Sequence, residues 1–222
     1  MSTTLLDSLQ IETGPNPKAA VIWMHGLGAD GNDFAPVVPE LGLRKDLPVR
    51  FIFPHAPSMP VSINGGYVMP AWYDILGTDL VRQEDAAGIR RSAVAIEALI
   101  AREVQRGIAP EKIVLAGFSQ GCAMALQTGL RQTAKLAGIV ALSGYLPLAN
   151  SLAGERAAAN QDTPIFMGHG EGDNIVPIDR ARASHQLLLS LGYSVQWHSY
   201  PMAHSVHPRE IADIGGFLNR VL

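Results

Sequence analysis

Short apolar runs alternate with longer amphipathic stretches along this chain, and that alternation limits its possible folds more than any other feature. The apolar runs are typical of strands buried on both faces, and they cover 19–25, 49–55, 112–118, 136–144, 163–170 and 194–200. Stretches with helical spacing or helix-end signals lie between and after them, at 84–107, 120–131, 177–192 and 208–222. We therefore predict an α/β fold with a mostly parallel central sheet and helices on both faces. Residues 7–14 predict an antiparallel edge strand.

Length and composition set the class of protein. The 222 residues fit one domain, 1–222, and 47% hydrophobic against 17% charged residues is enough apolar material for a substantial core. The formal net charge of −3, without a basic stripe, argues against a nucleic-acid-binding protein. The N-terminus lacks a signal-peptide pattern, and no apolar run has the length of a transmembrane helix. A single cysteine, Cys122, fits a reducing compartment, so we expect a cytoplasmic protein that is not integrated in a membrane.

The stretch GFSQG, residues 117–121, matches the pattern G-x-S-x-G. That pattern predicts a nucleophilic serine when a strand enters it and a helix leaves it, because the sharp turn between them exposes the hydroxyl. Here a predicted strand precedes Ser119 and a predicted helix follows it. Gly117 and Gly121 would remove side-chain bulk on both sides of the turn. The alternative is an ordinary helix-capping serine.

A serine nucleophile needs a base and an acid that orients the base, and in this type of turn they follow in the order serine, acid, histidine. His204 and His207 both lie in the loop after the last predicted strand. We favour His204 as the base, because His207 precedes Pro208 and is typical of a residue entering the final helix.

The acid is expected in the loop after the strand at 163–170, which reads EGDNIVP. We favour Asp173 over Glu171, because a shorter side chain before Pro177 is easier to hold rigidly. The alternative for Asp173 is an Asx-turn or a helix cap.

An oxyanion hole requires two backbone N–H donors. The residue after the nucleophile, Gln120, is the first candidate. The second is expected in the glycine-rich loop after the first buried strand, where Leu27 is our choice and Gly28 the rival.

Two other chemistries are weaker interpretations of the sequence. GLGADG at 26–31 matches the dinucleotide pattern G-x-G-x-x-G, but the next predicted strand ends without the acid that would bind a ribose, and prolines follow the glycines. His204 and His207 form H-x-x-H without further ligands at usable spacing. We therefore expect neither a cofactor nor a metal, and we expect Cys122 to be a packing residue.

The connection at 58–77 is rich in apolar residues and could cover the site. Met69, Trp72, Ile75 and Leu76 are our candidates for contacts with the acyl chain. The alternative is that these residues only pack the loop against the sheet. Whether the whole connection, 55–83, moves as a lid is a question that the sequence leaves open.

Several stretches together resemble the carboxylesterase and acyl-protein thioesterase family of small α/β-hydrolases. They are HGLGADGNDF, MPAWYDI, QEDAAGI, GFSQGCAMAL, LSGYLPL, HGEGDNIVP and MAHSV. The resemblance implies the α/β-hydrolase fold without a large cap domain, a triad of Ser119, Asp173 and His204, and an oxyanion hole of Leu27 and Gln120. It also implies that a homodimer can form. Cys122 departs from the pattern, because many relatives have a glycine there.

These observations predict a serine carboxylesterase that hydrolyses short- to medium-chain esters of small molecules through an acyl-enzyme. The alternative substrates are longer acyl chains on a protein or a lipid, the reactions of an acyl-protein thioesterase or a lysophospholipase. An alternative of another class is a catalytically silent binding protein with this fold.

Overall fold

The computed structural model describes residues 5–77 and 84–222. The strands in those residues are β1 Ser8–Glu12, β2 Ala19–Met24, β3 Val49–Pro54, β4 Ser58–Val61, β5 Tyr67–Pro70, β6 Ile113–Phe118, β7 Gly138–Leu142, β8 Ile165–Gly170 and β9 Val195–Tyr200. The α-helices are α1 Ala86–Gln105, α2 Gln120–Gly129, α3 Ala149–Glu155, α4 Ile178–Ser190 and α5 Pro208–Val221. Short 3-10 segments lie at Ala35–Leu41, Ser62–Asn64, Pro110–Lys112 and Ala158–Asn160.

Seven strands form the central sheet in the order β1-β3-β2-β6-β7-β8-β9. β1 pairs with β3 in antiparallel orientation, and every other pair in this sheet is parallel. The prediction of a mostly parallel sheet with an antiparallel edge strand is confirmed. Every residue of β2, the strand before the glycine-rich loop, is buried, which explains why its sequence is continuously apolar rather than alternating.

Alternating side chains of the strands supply two hydrophobic cores, one on each face of the sheet. On one face Ile22 and Met24 pack with the apolar residues of α1 and α2. On the other face Val21 and Trp23 pack with those of α5. Helices on both faces are therefore confirmed, and the edge formed by the carboxyl ends of the parallel strands is left for a site.

The predicted helix at 84–107 corresponds to α1. The Asp85 carboxylate caps it by accepting the N–H of Gly88 at 2.8 Å. Gly107 follows its C-terminus with a φ of 92°, a left-handed conformation that glycine adopts without steric cost.

The connection after β3 was expected to be a long loop, but within it β4 and β5 pair into a small antiparallel hairpin. Each of these strands has four residues, and Pro60 and Pro70 interrupt the alternation that would have marked them. Helix α3 was also missed. Within the described residues the hairpin is a small cover rather than a large cap, and the connection between 78 and 83 lies outside them. No helix in the described ranges is long and apolar enough to cross a membrane.

Candidate active site

Ser119 occupies the turn between β6 and α2, in the strand–turn–helix context that the sequence predicts. Its backbone has φ 56° and ψ −116°, which is unfavourable for a residue with a side chain and is the kind of strain found at functional sites. The N–H of Ser119 donates to the carbonyl of Leu142 in β7 at 2.8 Å. This bond anchors the strained turn to the next strand.

The two flanking glycines are required by close backbone approaches. A Cβ atom at Gly117 would lie 2.1 Å from the carbonyl oxygen of Gly121, and a Cβ at Gly121 would lie 2.2 Å from that of Met24. Both distances are far below van der Waals contact, so larger residues at either position would displace the turn.

Asp173 lies in the loop after β8 with a fully buried side chain. Its Oδ1 accepts the N–H groups of Ile175 and Val176, each at 2.9 Å. Its Oδ2 lies 2.7 Å from Nδ1 of His204. Asp173 therefore forms the Asx-turn through Oδ1 and pairs with His204 through Oδ2, so the two interpretations are compatible. The rival Glu171 is exposed and accepts a hydrogen bond from Ser199.

His204 lies in the loop after β9, and its ring packs against Phe118 with 4.8 Å between centroids. Since Nδ1 faces Asp173, Nε2 is on the opposite edge of the ring. His204 and Ser119 line the same cavity. The structure thus brings the three predicted residues to one end of the sheet, although they come from three separate loops.

The other histidines after Ser119 have structural contacts. His207 caps α5 by accepting the N–H of Arg209 at 3.1 Å, as its position before Pro208 indicates. His185 stacks on Trp197, with 5.2 Å between centroids. His198 stacks on Phe166 at 4.8 Å.

His169 is a second imidazole near the acid, and its role was not foreseen. Its Nε2 donates to the carbonyl of Val176 at 2.8 Å and lies 3.5 Å from Oδ2 of Asp173. Burial lowers the pKa of His169 and so favours the neutral ring, and its bond to Val176 ties the end of β8 to the acid loop. The position of His169 at the end of β8 was the available sequence signal.

The N–H groups of the glycine-rich loop distinguish Leu27 from Gly28 as the second oxyanion donor. The N–H of Gly28 donates to the carbonyl of Pro70 at 2.9 Å, so it is already used. The N–H of Leu27 has no acceptor among the described residues. Gln120 begins α2, and the first N–H groups of a helix have no partner within it. The structure thus leaves Leu27 and Gln120 available and removes Gly28.

The cavity in front of Ser119 has a volume of about 630 Å³. Of the four predicted substrate contacts, only Ile75 lines it. Trp72 is 1% exposed and lies in the core, where its indole N–H donates to the carbonyl of His25. Met69 and Leu76 are outside the cavity wall, and Leu76 is 45% exposed. The prediction is therefore corrected for these three residues.

Sequence reasoning missed several residues of the cavity wall. Tyr73 and Tyr145 line the cavity, and their phenol oxygens lie 3.1 Å apart. Ile175 and Val176 contribute from the acid loop. Tyr145 follows β7 at the carboxyl edge of the sheet, and that position was the signal available for it.

The competing chemistries gain no support from the geometry. The segment after the glycines, Ala35–Leu41, is a 3-10 helix with Pro39 inside it, not a long helix whose N-terminus could bind phosphate. Within the described parts of the chain, no cluster of three or more His, Cys, Asp or Glu side chains could bind a metal ion. Cys122 is fully buried beside Gly144, and burial raises the pKa of its thiol.

The sequence and the fold are similar to those of known proteins. The sequence model of the phospholipase/carboxylesterase family matches residues 7–222. Acyl-protein thioesterase 1 of Gibberella zeae is 44% identical over 231 residues, covering 100% of this chain and 98% of that protein. Acyl-protein thioesterase 1 of Neurospora crassa is 43% identical, covering 92% of this chain and 87% of that protein. The crystal structure of Arabidopsis thaliana SOBER1 has a TM-score of 0.86 at 27% identity, covering 91% of this chain and 98% of that one.

Proposed function

The chain belongs to the phospholipase/carboxylesterase family of serine hydrolase enzymes, and we propose that it transfers acyl groups to water through Ser119, His204 and Asp173. One observation carries this proposal. The imidazole of His204, held by the buried carboxylate of Asp173 at 2.7 Å, lies at the wall of the cavity that Ser119 also lines.

In the first step, Oγ of Ser119 attacks the acyl carbonyl carbon while Nε2 of His204 takes the hydroxyl proton. Asp173 stabilises the imidazolium through Nδ1. The tetrahedral intermediate collapses, the bond to the leaving group breaks, and His204 gives the proton to the departing oxygen or sulfur. Water then attacks the carbonyl carbon of the acyl-enzyme while His204 takes its proton. The bond to Oγ breaks, His204 returns the proton to Oγ, and the carboxylic acid and free Ser119 are released.

The negative charge on the tetrahedral intermediate requires donors. We propose the backbone N–H groups of Leu27 and Gln120, both of which lie at the cavity wall. Each such donor accounts for about 10²- to 10³-fold in kcat in serine hydrolases.

We propose an acyl thioester as the preferred substrate class. The names of the relatives from Gibberella zeae and Neurospora crassa, both acyl-protein thioesterase 1, favour it. Short- to medium-chain oxyesters are the second candidate, favoured by the carboxylesterase part of the family description. The walls of the cavity include Ile63, Ile75 and Phe118, which suit an apolar acyl chain of either class.

The nucleophile is tested by labelling the protein with a fluorophosphonate and locating the adduct by mass spectrometry. We expect one adduct, on Ser119, and no adduct and no ester hydrolysis in Ser119→Ala. Ser205→Ala is the matched control, because Ser205 is an exposed neighbour of His204, and it should label and react as the wild type. Labelling elsewhere, or turnover by Ser119→Ala, would refute the proposal and leave open a catalytically silent binding protein.

The substrate class is tested with a series of oxyesters and thioesters of increasing acyl length, including a palmitoylated peptide. A higher kcat/KM for thioesters of long chains supports the first candidate. A sharp optimum at short oxyesters would replace it with the second.

Two properties outside the site are also proposals. A cytoplasmic location fits the single, fully buried Cys122. A homodimer is implied by the family resemblance, and light scattering of the purified protein would test it.

A further inference from the structure

We propose that His25 is a positioning residue, which orients the peptide between Gly26 and Leu27 so that the N–H of Leu27 faces the oxyanion. The inference rests on the proposed function and assigns to His25 a role that sequence reasoning did not consider. The site needs such a device, because a loop peptide with an unused N–H could otherwise rotate.

The hydrogen bonds of His25 define which ring nitrogen carries the proton. His25 follows β2 and is 1% exposed. Its Nε2 lies 3.1 Å from the backbone nitrogen of Ala56. Since that N–H can only donate, Nε2 must accept, and the proton of the neutral ring is on Nδ1. Nδ1 lies 2.7 Å from the carbonyl oxygen of Gly26 and therefore donates to it.

The surroundings keep the ring neutral. Burial lowers the pKa of His25, and this outweighs the opposing effects of the hydrogen bond with Gly26 and of the attraction of Asp30 and Asp33, while His55 lowers the pKa further. A protonated ring would direct an N–H at the N–H of Ala56. The neutral form with the proton on Nδ1 is thus the one that fits both partners.

The carbonyl of Gly26 and the N–H of Leu27 belong to the same peptide unit. No peptide bond among the described residues is cis, so these two groups point in opposite directions. The carbonyl of Gly26 also accepts the N–H of Ala29 at 3.3 Å. Holding this oxygen with two donors fixes the plane, and the N–H of Leu27 is directed away from both donors, on a residue that lines the cavity.

A chain of hydrogen bonds links His25 to the other proposed donor. The indole N–H of Trp72 donates to the carbonyl of His25 at 2.9 Å. The backbone N–H of Trp72 donates to Oε1 of Gln120 at 2.8 Å, and Nε2 of Gln120 donates to the carbonyl of Tyr73 at 2.7 Å. The buried side chain of Gln120 thus joins the start of α2 to the loop that holds His25. This chain ties the residue before the Gly26–Leu27 peptide to the first residue of α2.

Two amide substitutions separate the functions of the two ring nitrogens. The side-chain nitrogen of asparagine can occupy the position of Nδ1, so His25→Asn keeps a donor to Gly26. The end of a glutamine side chain reaches the position of Nε2, so His25→Gln keeps an acceptor for Ala56 and loses the donor. We expect His25→Gln to lose about 10²-fold in kcat with KM nearly unchanged, and His25→Asn to lose at least about tenfold less.

Rates are measured per active site, titrated with the fluorophosphonate, so that partial unfolding does not enter kcat. A trifluoromethyl ketone of matched acyl length, which forms a tetrahedral adduct on serine, should lose affinity by the same factor as kcat/KM. Equal losses in the two variants, or full kcat in His25→Gln, would overturn the inference. If neither variant folds, nitrogen NMR of the wild type with 15N-labelled histidine locates the ring proton of His25, and a proton on Nε2 rather than Nδ1 would overturn the inference. Failure of the proposed function is a separate result, namely absence of the Ser119 adduct in the wild type.

Discussion

Asp173 and Glu210 are both buried carboxylic acids next to β8, yet their surroundings differ in the donors that they provide. The Asp173 carboxylate accepts two backbone N–H groups and lies 2.7 Å from the imidazole of His204. Glu210, in the first turn of α5, is 0% exposed, and neither of its oxygens has a hydrogen-bond partner among the described residues. Burial raises the pKa of Glu210 to about 8, although the nearby N–H of His207 opposes the shift.

The difference shows that depth of burial alone does not define the role of a carboxylic acid. A buried negative charge is tolerated where donors compensate it, and where they are missing the group takes a proton. The donors around Asp173 stabilise its ionised carboxylate, which can in turn stabilise an imidazolium. Glu210 instead packs against Gly168, in surroundings that favour its neutral form.

The largest expected effect separates the two acids by activity. Asp173→Asn should reduce kcat by about 10⁴-fold, because an amide cannot hold the tautomer of His204 that accepts the serine proton. Glu210→Gln, the matched amide substitution, should leave kcat at pH 7 within about twofold, since it replaces a neutral acid by a neutral amide. Ester hydrolysis by both variants, with melting temperatures measured alongside, checks this. Similar losses in both would show that burial rather than pairing matters.

The second effect separates them by stability. The pKa of Glu210 in the fold, about 8, is above its usual value of 4.5. Its contribution to stability is therefore full below pH 4.5 and is lost as the pH rises through 8. We expect the free energy of unfolding in urea to fall by a few kcal/mol between pH 5 and pH 9 in the wild type, and by clearly less in Glu210→Gln. Parallel pH profiles for the two proteins would contradict the assignment.

The third effect uses two glycines on the same face of β8. A Cβ at Gly170 would lie 2.4 Å from the carbonyl oxygen of Ala203, just before His204, whereas a Cβ at Gly168 would lie 2.3 Å from Oε1 of Glu210. Backbone cannot yield as a carboxyl group can. Gly170→Ala should therefore cost about 10²-fold in kcat by displacing the base. Gly168→Ala should lower stability by about 1–3 kcal/mol and spare kcat. The reverse order in kcat would show that the two regions are not separate.

The smallest effect concerns neighbouring apolar residues at the cavity. Ile75 lines it, whereas Leu76 is exposed outside it. Ile75→Ala should raise KM for a medium-chain substrate by about tenfold, with kcat retained, because the lost contact is present in the ground state and the transition state alike. Leu76→Ala should change KM by less than about twofold. Equal KM values in both variants would indicate that the acyl chain lies elsewhere.

The strands and their parallel arrangement could be predicted because buried strands such as β2 have continuously apolar sequences, which few other structures share. The extent of α1, Ala86–Gln105, was also predicted to within two residues at each end, from the helical spacing over 84–107 with Gly107 as its stop. The β4–β5 hairpin was not, since strands of four residues containing Pro60 and Pro70 carry almost no periodic signal. The three residues of the proposed triad stay predictions from order and loop position, although the structure brings them together.

By itself, the sequence determined which residues could carry acyl-transfer chemistry, because strand–turn–helix context and chain order depend only on local patterns. It favoured Leu27 as the second oxyanion donor without a reason to exclude Gly28, and it assigned Trp72 to the substrate. Only the tertiary structure decided these points, since the partner of the Gly28 N–H is Pro70 and the partner of the Trp72 indole is His25. Both partners are more than forty positions away in the chain, so no local pattern contains them. A buried hydrogen bond to a distant residue is fixed by packing, so only the folded chain shows which groups the Gly28 N–H and the Trp72 indole contact.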